Sequence, residues 1–151
     1  MQESCYSGMF YNCTSLTTAP QLPATTLSDF CYWWMFEGCT SLTTVPQLPA
    51  TTLSVACYLR MFEGCTSLTT LPELPAITLT EDCYLRMFEG CSNIKISETQ
   101  TWIYQTPYRI PSSWTWGESQ WWNADMFDAT WGTFTWDPSI NTTYYTSNTV
   151  I

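Results

Sequence analysis

A chain of 151 residues that is 45% hydrophobic and 17% aromatic but only 11% charged suits one domain or a short repeat array, with a surface built largely of Thr, Ser, Gln, Asn and aromatics. Its formal net charge is −9 and its only cations are Arg60, Arg86, Lys95 and Arg109, which excludes nucleic acid and anionic membrane surfaces as partners, since both need clustered cations. It contains no run of about 18 apolar residues, so no membrane insertion is expected.

In chain order, Met1–Ser4 carries no secretory signal pattern, because periodic sequence starts at once. Cysteines fall at Cys5, Cys31, Cys57 and Cys83, and again at Cys13, Cys39, Cys65 and Cys91, both with a constant step of 26. Self-similarity at such a period is the signature of a solenoid, in which each unit buries its apolar face against its neighbours. Within a unit, TSLTTVPQLPATTL is expected to form a short strand and a turn, with Pro20, Pro23, Pro46, Pro49, Pro72 and Pro75 at the corners. The segment Leu53–Gly64 then reads as a short helix: Leu53, Cys57, Met61 and Cys65 step by four toward the core, with Tyr58 and Phe62 in a parallel row. Thr51, Thr52 and Ser54 stand where capping residues belong, and Gly64 where a helix stops.

Eight cysteines would ordinarily imply a disulfide framework. On a helix, however, Cys31 and Cys39 are separated by roughly 12 Å of rise, beyond the about 7 Å that a disulfide allows. Two structural columns of buried thiols are therefore expected, with bridges between adjacent rungs as the alternative. No metal and no cofactor is expected: there is no CxxC, no histidine and no EF-hand spacing among Glu118, Asp125, Asp128 and Asp137. Without histidine, Cys and Ser nucleophiles also lack their usual base. Asn12-Cys-Thr and Asn141-Thr-Thr fit the glycosylation pattern only weakly.

The core MFEGCTSLTTVPQLP resembles the bacterial surface-protein leucine-rich repeat of the BspA or Treponema type, with its F-x-G-C-T-S-L signature, over roughly Cys5–Ile96. The resemblance implies an α/β leucine-rich-repeat solenoid of short strands and short helices. It also implies a non-catalytic adhesive or interaction module at a cell surface, extracellular or on a virion. The extra cysteine at Cys31 and its copies, and the longer proline corner, depart from the commoner pattern.

From Ile94 the period is lost. Residues 1–96 form the repeat array, and residues 97–151 read as a Trp-rich C-terminal cap and degenerate final repeat, in which Met126-Phe127-Asp128-Ala129 echoes MFEG at an offset of 39 from Met87. The N-terminal end has no comparable cap, so the chain is expected to be a fragment or to have its first rung covered by another chain, self-association through that end being one such cover.

Comparison of the copies separates scaffold from variation. The pairs that differ are Ser7-Gly8, Trp33-Trp34, Leu59-Arg60 and Leu85-Arg86, with a second set at Asp29-Phe30, Val55-Ala56 and Glu81-Asp82. These positions lie off the core row, on what would be the outward helical face. The candidate binding residues are therefore Asp29, Phe30, Trp33, Trp34, Glu37, Leu59, Arg60, Leu85 and Arg86, joined by the cap residues Trp114, Trp116, Trp121, Trp122, Trp131 and Trp136. Adjacent tryptophans cannot both enter the core, and exposed rings serve protein hot spots and sugar stacking alike. Glu37, Glu63 and Glu89 form an acidic column, with Arg60–Glu63 and Arg86–Glu89 as surface ion pairs. The expected function is protein or glycan recognition, with a self-assembling structural element as the other class.

Overall fold

The computed structural model describes residues 2–110, 113–114, 123–132 and 143–147. Among them there is no α-helix, so the α/β leucine-rich-repeat solenoid with short helices is not the fold. Within Leu53–Gly64, residues 55–64 are instead a run of overlapping tight turns.

The hydrogen bonds give the reason. In the rung Phe30–Cys39, the amides of Cys31, Trp33, Met35, Glu37 and Cys39 each donate three residues back, at 3.1–3.3 Å. The amides between them leave the rung: Phe30, Tyr32, Trp34, Phe36 and Gly38 donate to the carbonyls of Val55, Cys57, Leu59, Met61 and Glu63 in the next unit, at 2.8–3.1 Å. An α-helix would close both sets within one segment. A segment this short nucleates a helix poorly, whereas a stack of near-identical copies offers a carbonyl to every second amide. All of these backbone donors are thereby satisfied.

Every fourth residue has positive φ: Phe30, Trp34 and Gly38 at 54°, 58° and 71°, then Ala56, Arg60 and Gly64, then Asp82, Arg86 and Gly90. Each is the second central residue of a turn, the place where type II geometry requires φ > 0. The step of four seen in the sequence therefore belongs to a turn spiral with a four-residue repeat. Leu27, Cys31, Met35 and Cys39 fall on its inner side, with Tyr32 and Phe36 beside them, and all six are buried.

Stacked rungs turn these positions into columns. Phe10, Phe36, Phe62, Phe88 and Phe127 lie ring on ring with centroids 5.4–5.6 Å apart. Tyr6, Tyr32, Tyr58 and Tyr84 do the same at 5.7–5.8 Å. Across the core, the proline-containing stretch is extended, with Pro46, Leu48 and Ala50 buried at every second residue. Parallel bridges Thr18↔Thr44 and Thr26↔Thr52 join successive copies there. Ser54, expected as a cap, instead joins rungs: its hydroxyl donates to the Asp29 carboxylate, and its carbonyl accepts from Thr80 Oγ1 at 2.8 Å.

Beyond Ile94 the chain leaves the stack and returns. Arg86, Phe88 and Gly90 donate to Ala124, Met126 and Asp128 at 2.8–2.9 Å, so residues 123–129 form the rung that follows. Strands β1 (Thr78–Leu79) and β4 (Ser113–Trp114) pair in parallel. A second sheet has the order β3-β6-β2-β5, from Tyr104–Arg109 (β3), Thr143–Ser147 (β6), Lys95–Ser97 (β2) and Trp131–Gly132 (β5). The β3–β6 and β6–β2 pairs are antiparallel, and β2–β5 is parallel. Strand β3 is fastened to the array: Tyr108 Oη donates to the Pro72 carbonyl at 3.1 Å, and Arg109 Nη2 to those of Leu74 and Ala76 at 3.0 and 3.3 Å.

Candidate functional site

The Cys, Tyr, Met and Phe common to the second to fourth copies are buried, whereas Trp33-Trp34, Leu59-Arg60 and Leu85-Arg86 stay partly exposed; of the second set of differing pairs, Ala56 is buried. Position 34 of the second rung, with its copies at 60 and 86, takes the strained φ of the spiral, and position 33 precedes it. Turn geometry thus places Trp33-Trp34, Leu59-Arg60 and Leu85-Arg86 above one another on the outer side. Together with Asp125 they line a single groove of about 450 Å³.

Trp33 and Trp34 form the end of that groove nearest the first rung. Both are half-buried. Their ring centroids are 4.0 Å apart with planes inclined at 34°, Phe30 supports Trp33 at 5.5 Å, and Tyr11 leans on Trp34 at 6.4 Å. The indole Nε1 of each is enclosed yet has no hydrogen-bond partner. At the other end Arg86 grips Asp125 through Nε at 3.2 Å and Nη2 at 3.1 Å, while its Nε also lies 3.4 Å from Glu89. Arg60 pairs with Glu63 at 3.5 Å. Both guanidiniums are thus paired with acids at the groove.

Glu37, Glu63 and Glu89 stand in register beside it. Burial raises the pKa of all three, and the neighbouring carboxylates add to that, while the arginines oppose it. One oxygen of each, Oε2, is enclosed without a hydrogen bond. Asp29 is occupied by the stack itself, accepting from Ser54 Oγ and from the Val55 amide at 3.2 Å.

No family model, curated protein or solved structure matches this chain. The groove is therefore read from its own chemistry. Its described lining holds two indoles, two leucines, two guanidiniums and a carboxylate, which suits stacking and hydrogen bonding. None of these seven side chains is a hydroxyl or thiol nucleophile.

The eight cysteines are free thiols; six are buried, and Cys5 and Cys13 on the first rung are exposed. Cys31, Cys57 and Cys83 stack above Cys5. Cys39, Cys65 and Cys91 each donate through Sγ to the phenylalanine carbonyl one rung before, at 3.0–3.1 Å. Burial pushes the thiol of Cys31 up to about 11 and those of Cys83 and Cys91 to about 12. Of the cap tryptophans, Trp116, Trp121, Trp122 and Trp136 lie outside the described residues, and only the backbones of Trp114 and Trp131 are described, in β4 and β5. Trp102, by contrast, is 84% exposed. Among the four acids weighed for calcium, Asp125 is paired with Arg86 and Asp128 accepts from the Ala129 amide; Glu118 and Asp137 lie outside the described residues. Sequence reasoning missed Asp125 as a groove residue, and its place opposite Arg86 in the offset rung was the available signal.

Proposed function

We propose that this chain is a non-catalytic recognition module that binds a protein or glycan partner in the groove headed by Trp33 and Trp34. One observation carries the reading: of the two sets of positions at which otherwise repetitive rungs differ, the set Trp33-Trp34, Leu59-Arg60 and Leu85-Arg86 lines the groove. A rigid frame holding variable side chains side by side is the arrangement used for selective contact. The two indoles supply flat apolar area of the kind on which sugar rings and aromatic side chains stack. Arg60, Arg86 and Asp125 supply fixed donors and acceptors at the rim. The surface-protein setting, on a bacterial cell or a phage, rests on the resemblance of the MFEGCTSL motif.

The test is an array of glycans and bacterial surface extracts, probed with the native chain and with the double variant Trp33→Ser/Trp34→Ser. A specific ligand whose binding falls at least tenfold in the double variant supports the groove. Undiminished binding by the variant, or no ligand for either protein, overturns it.

A further inference from the structure

We infer that the ligand of the groove is a linear, uncharged glycan of β-linked pyranoses lying along the axis of the stack, one sugar residue to each rung; this rests on the groove being the recognition site proposed above. The second to fifth rungs contribute equivalent positions. Trp34, Arg60, Arg86 and Asp125 all have positive φ, and the Arg86 and Phe88 amides set Ala124 and Met126 in register with the fourth rung. Trp33, Leu59 and Leu85 run beside them along the same groove. The lining therefore has two lanes parallel to the axis, one of indole and leucine, the other of indole, guanidinium and carboxylate. A pyranose is divided in the same way, with C–H groups on its faces and hydroxyls around its rim.

The spacing selects the polymer. Rings of the phenylalanine column are 5.4–5.6 Å apart and inclined to one another by only 1–6°, so successive rungs are related almost by translation alone. An extended peptide advances about 3.3 Å per residue, and about 6.6 Å between side chains on one face. Neither repeat keeps step with the rungs. Pyranoses joined through equatorial bonds advance by close to one rung per residue, so each ring meets the same pair of lanes. The groove volume of about 450 Å³ is that of a small-ligand site, enough for a short oligosaccharide and too little for a folded partner.

Charge selects among glycans. Arg60 is paired with Glu63, and Arg86 with Glu89 and Asp125. Glu37, in the same acidic column, brings the acids around these two cations to four. The carboxylate of an acidic sugar would have to displace one of those partners and would meet a surplus of negative charge. Hydroxyls of a neutral sugar accept from guanidinium N–H groups and donate to carboxylates, so they bridge the pairs as they stand. The Trp33–Trp34 end supplies the flat area on which the first ring of the chain stacks.

The experiment is calorimetric titration of the native chain with β1→4-linked oligomers of glucose, N-acetylglucosamine and mannose, two to six residues long, beside α1→4-linked glucose oligomers of the same lengths. At least one β-linked series is expected to gain severalfold in affinity with each residue up to four and nothing beyond, with no such rise in the coiled α-linked series. Leu85→Ser, two rungs from the tryptophans, should cost the tetrasaccharide at least fivefold and leave the disaccharide unchanged, whereas Trp33→Ser/Trp34→Ser should weaken every length. Affinity that ignores length, equal binding of the α-linked series, or no binding of any β-linked series overturns the inference. In that last case, a protein or other ligand from the surface extracts that is lost in the double tryptophan variant keeps the groove as the recognition site and removes only the linear glycan. Absence of any groove ligand removes both.

Discussion

At the scale of single residues, the backbone rather than the side chains sets the most exacting condition. Ten described non-glycine residues, from Ser4 to Ala129, have φ between 49° and 58°, a region that costs an L-residue roughly 1–2 kcal/mol. The stack tolerates this where such residues, Phe30, Trp34, Ala56, Arg60 and Arg86 among them, donate to the next rung and accept an amide within their own. Glycine takes the position at Gly38, Gly64 and Gly90. A Cβ on Gly64 would find ordinary contact, 3.9 Å from Gly38, so Gly64→Ala isolates the conformational cost and should lower stability by about 1 kcal/mol in urea titration. The glutamate column makes a prediction of sign. Because folding raises the pKa of Glu37, Glu63 and Glu89, the folded state binds protons more tightly than the unfolded one. Their contribution to stability is then fully present below the unfolded glutamate value, near 4.3, and is lost as pH rises through the raised folded values. The urea midpoint should rise between pH 7 and pH 4.5, and the triple Glu→Gln variant should remove most of that rise. The thiols divide by rung: iodoacetamide should modify Cys5 and Cys13 in the native chain and reach the other six only on unfolding, as read by mass spectrometry.

At the scale of elements, the turn spiral shows where a sequence can mislead. The period of 26 and the buried columns were legible, because they depend on which positions are alike; the outward placement of the differing pairs fits Trp33-Trp34, Leu59-Arg60 and Leu85-Arg86 but not Ala56, which is buried. The helix was not, because Leu53, Cys57, Met61 and Cys65 step by four in either element. What decides between them lies outside the segment: whether a neighbouring copy stands ready to take every second amide. Two cues in the sequence point to turns, namely the shortness of the segment and a glycine recurring where φ must be positive. The groove was half legible. Its six variable residues could be named from the copies, but Asp125 joins them only because the chain leaves the stack after Ile94 and returns in register. Far-UV circular dichroism should lack the double minimum of an α-helix; its presence would contradict the spiral. The attachment of β3 is a separate and local matter. Tyr108→Phe leaves the Pro72 carbonyl without its donor in a buried setting, at about 1–3 kcal/mol, and thermal unfolding should register the loss.

At the scale of the whole molecule, stability is divided among junctions between rungs, each resembling the last. Deletion of Cys57–Asp82 would join Ala56 to Cys83 and keep every column aligned. The shortened chain should fold, with a lower urea midpoint and a shallower slope, since less surface is buried; failure to fold would mean that the rungs are not interchangeable. The one-way direction of the amides on the turn side has a further effect. At each junction they point from the first rung toward the last, so their peptide dipoles add instead of cancelling. The result is an axial field resembling that of a helix, with its negative pole where the Cys5 and Cys13 thiols are exposed. Anionic reagents are repelled there. Iodoacetate should therefore lag neutral iodoacetamide at these two thiols by more than it does at the same cysteines in the unfolded chain, and added salt should narrow the gap.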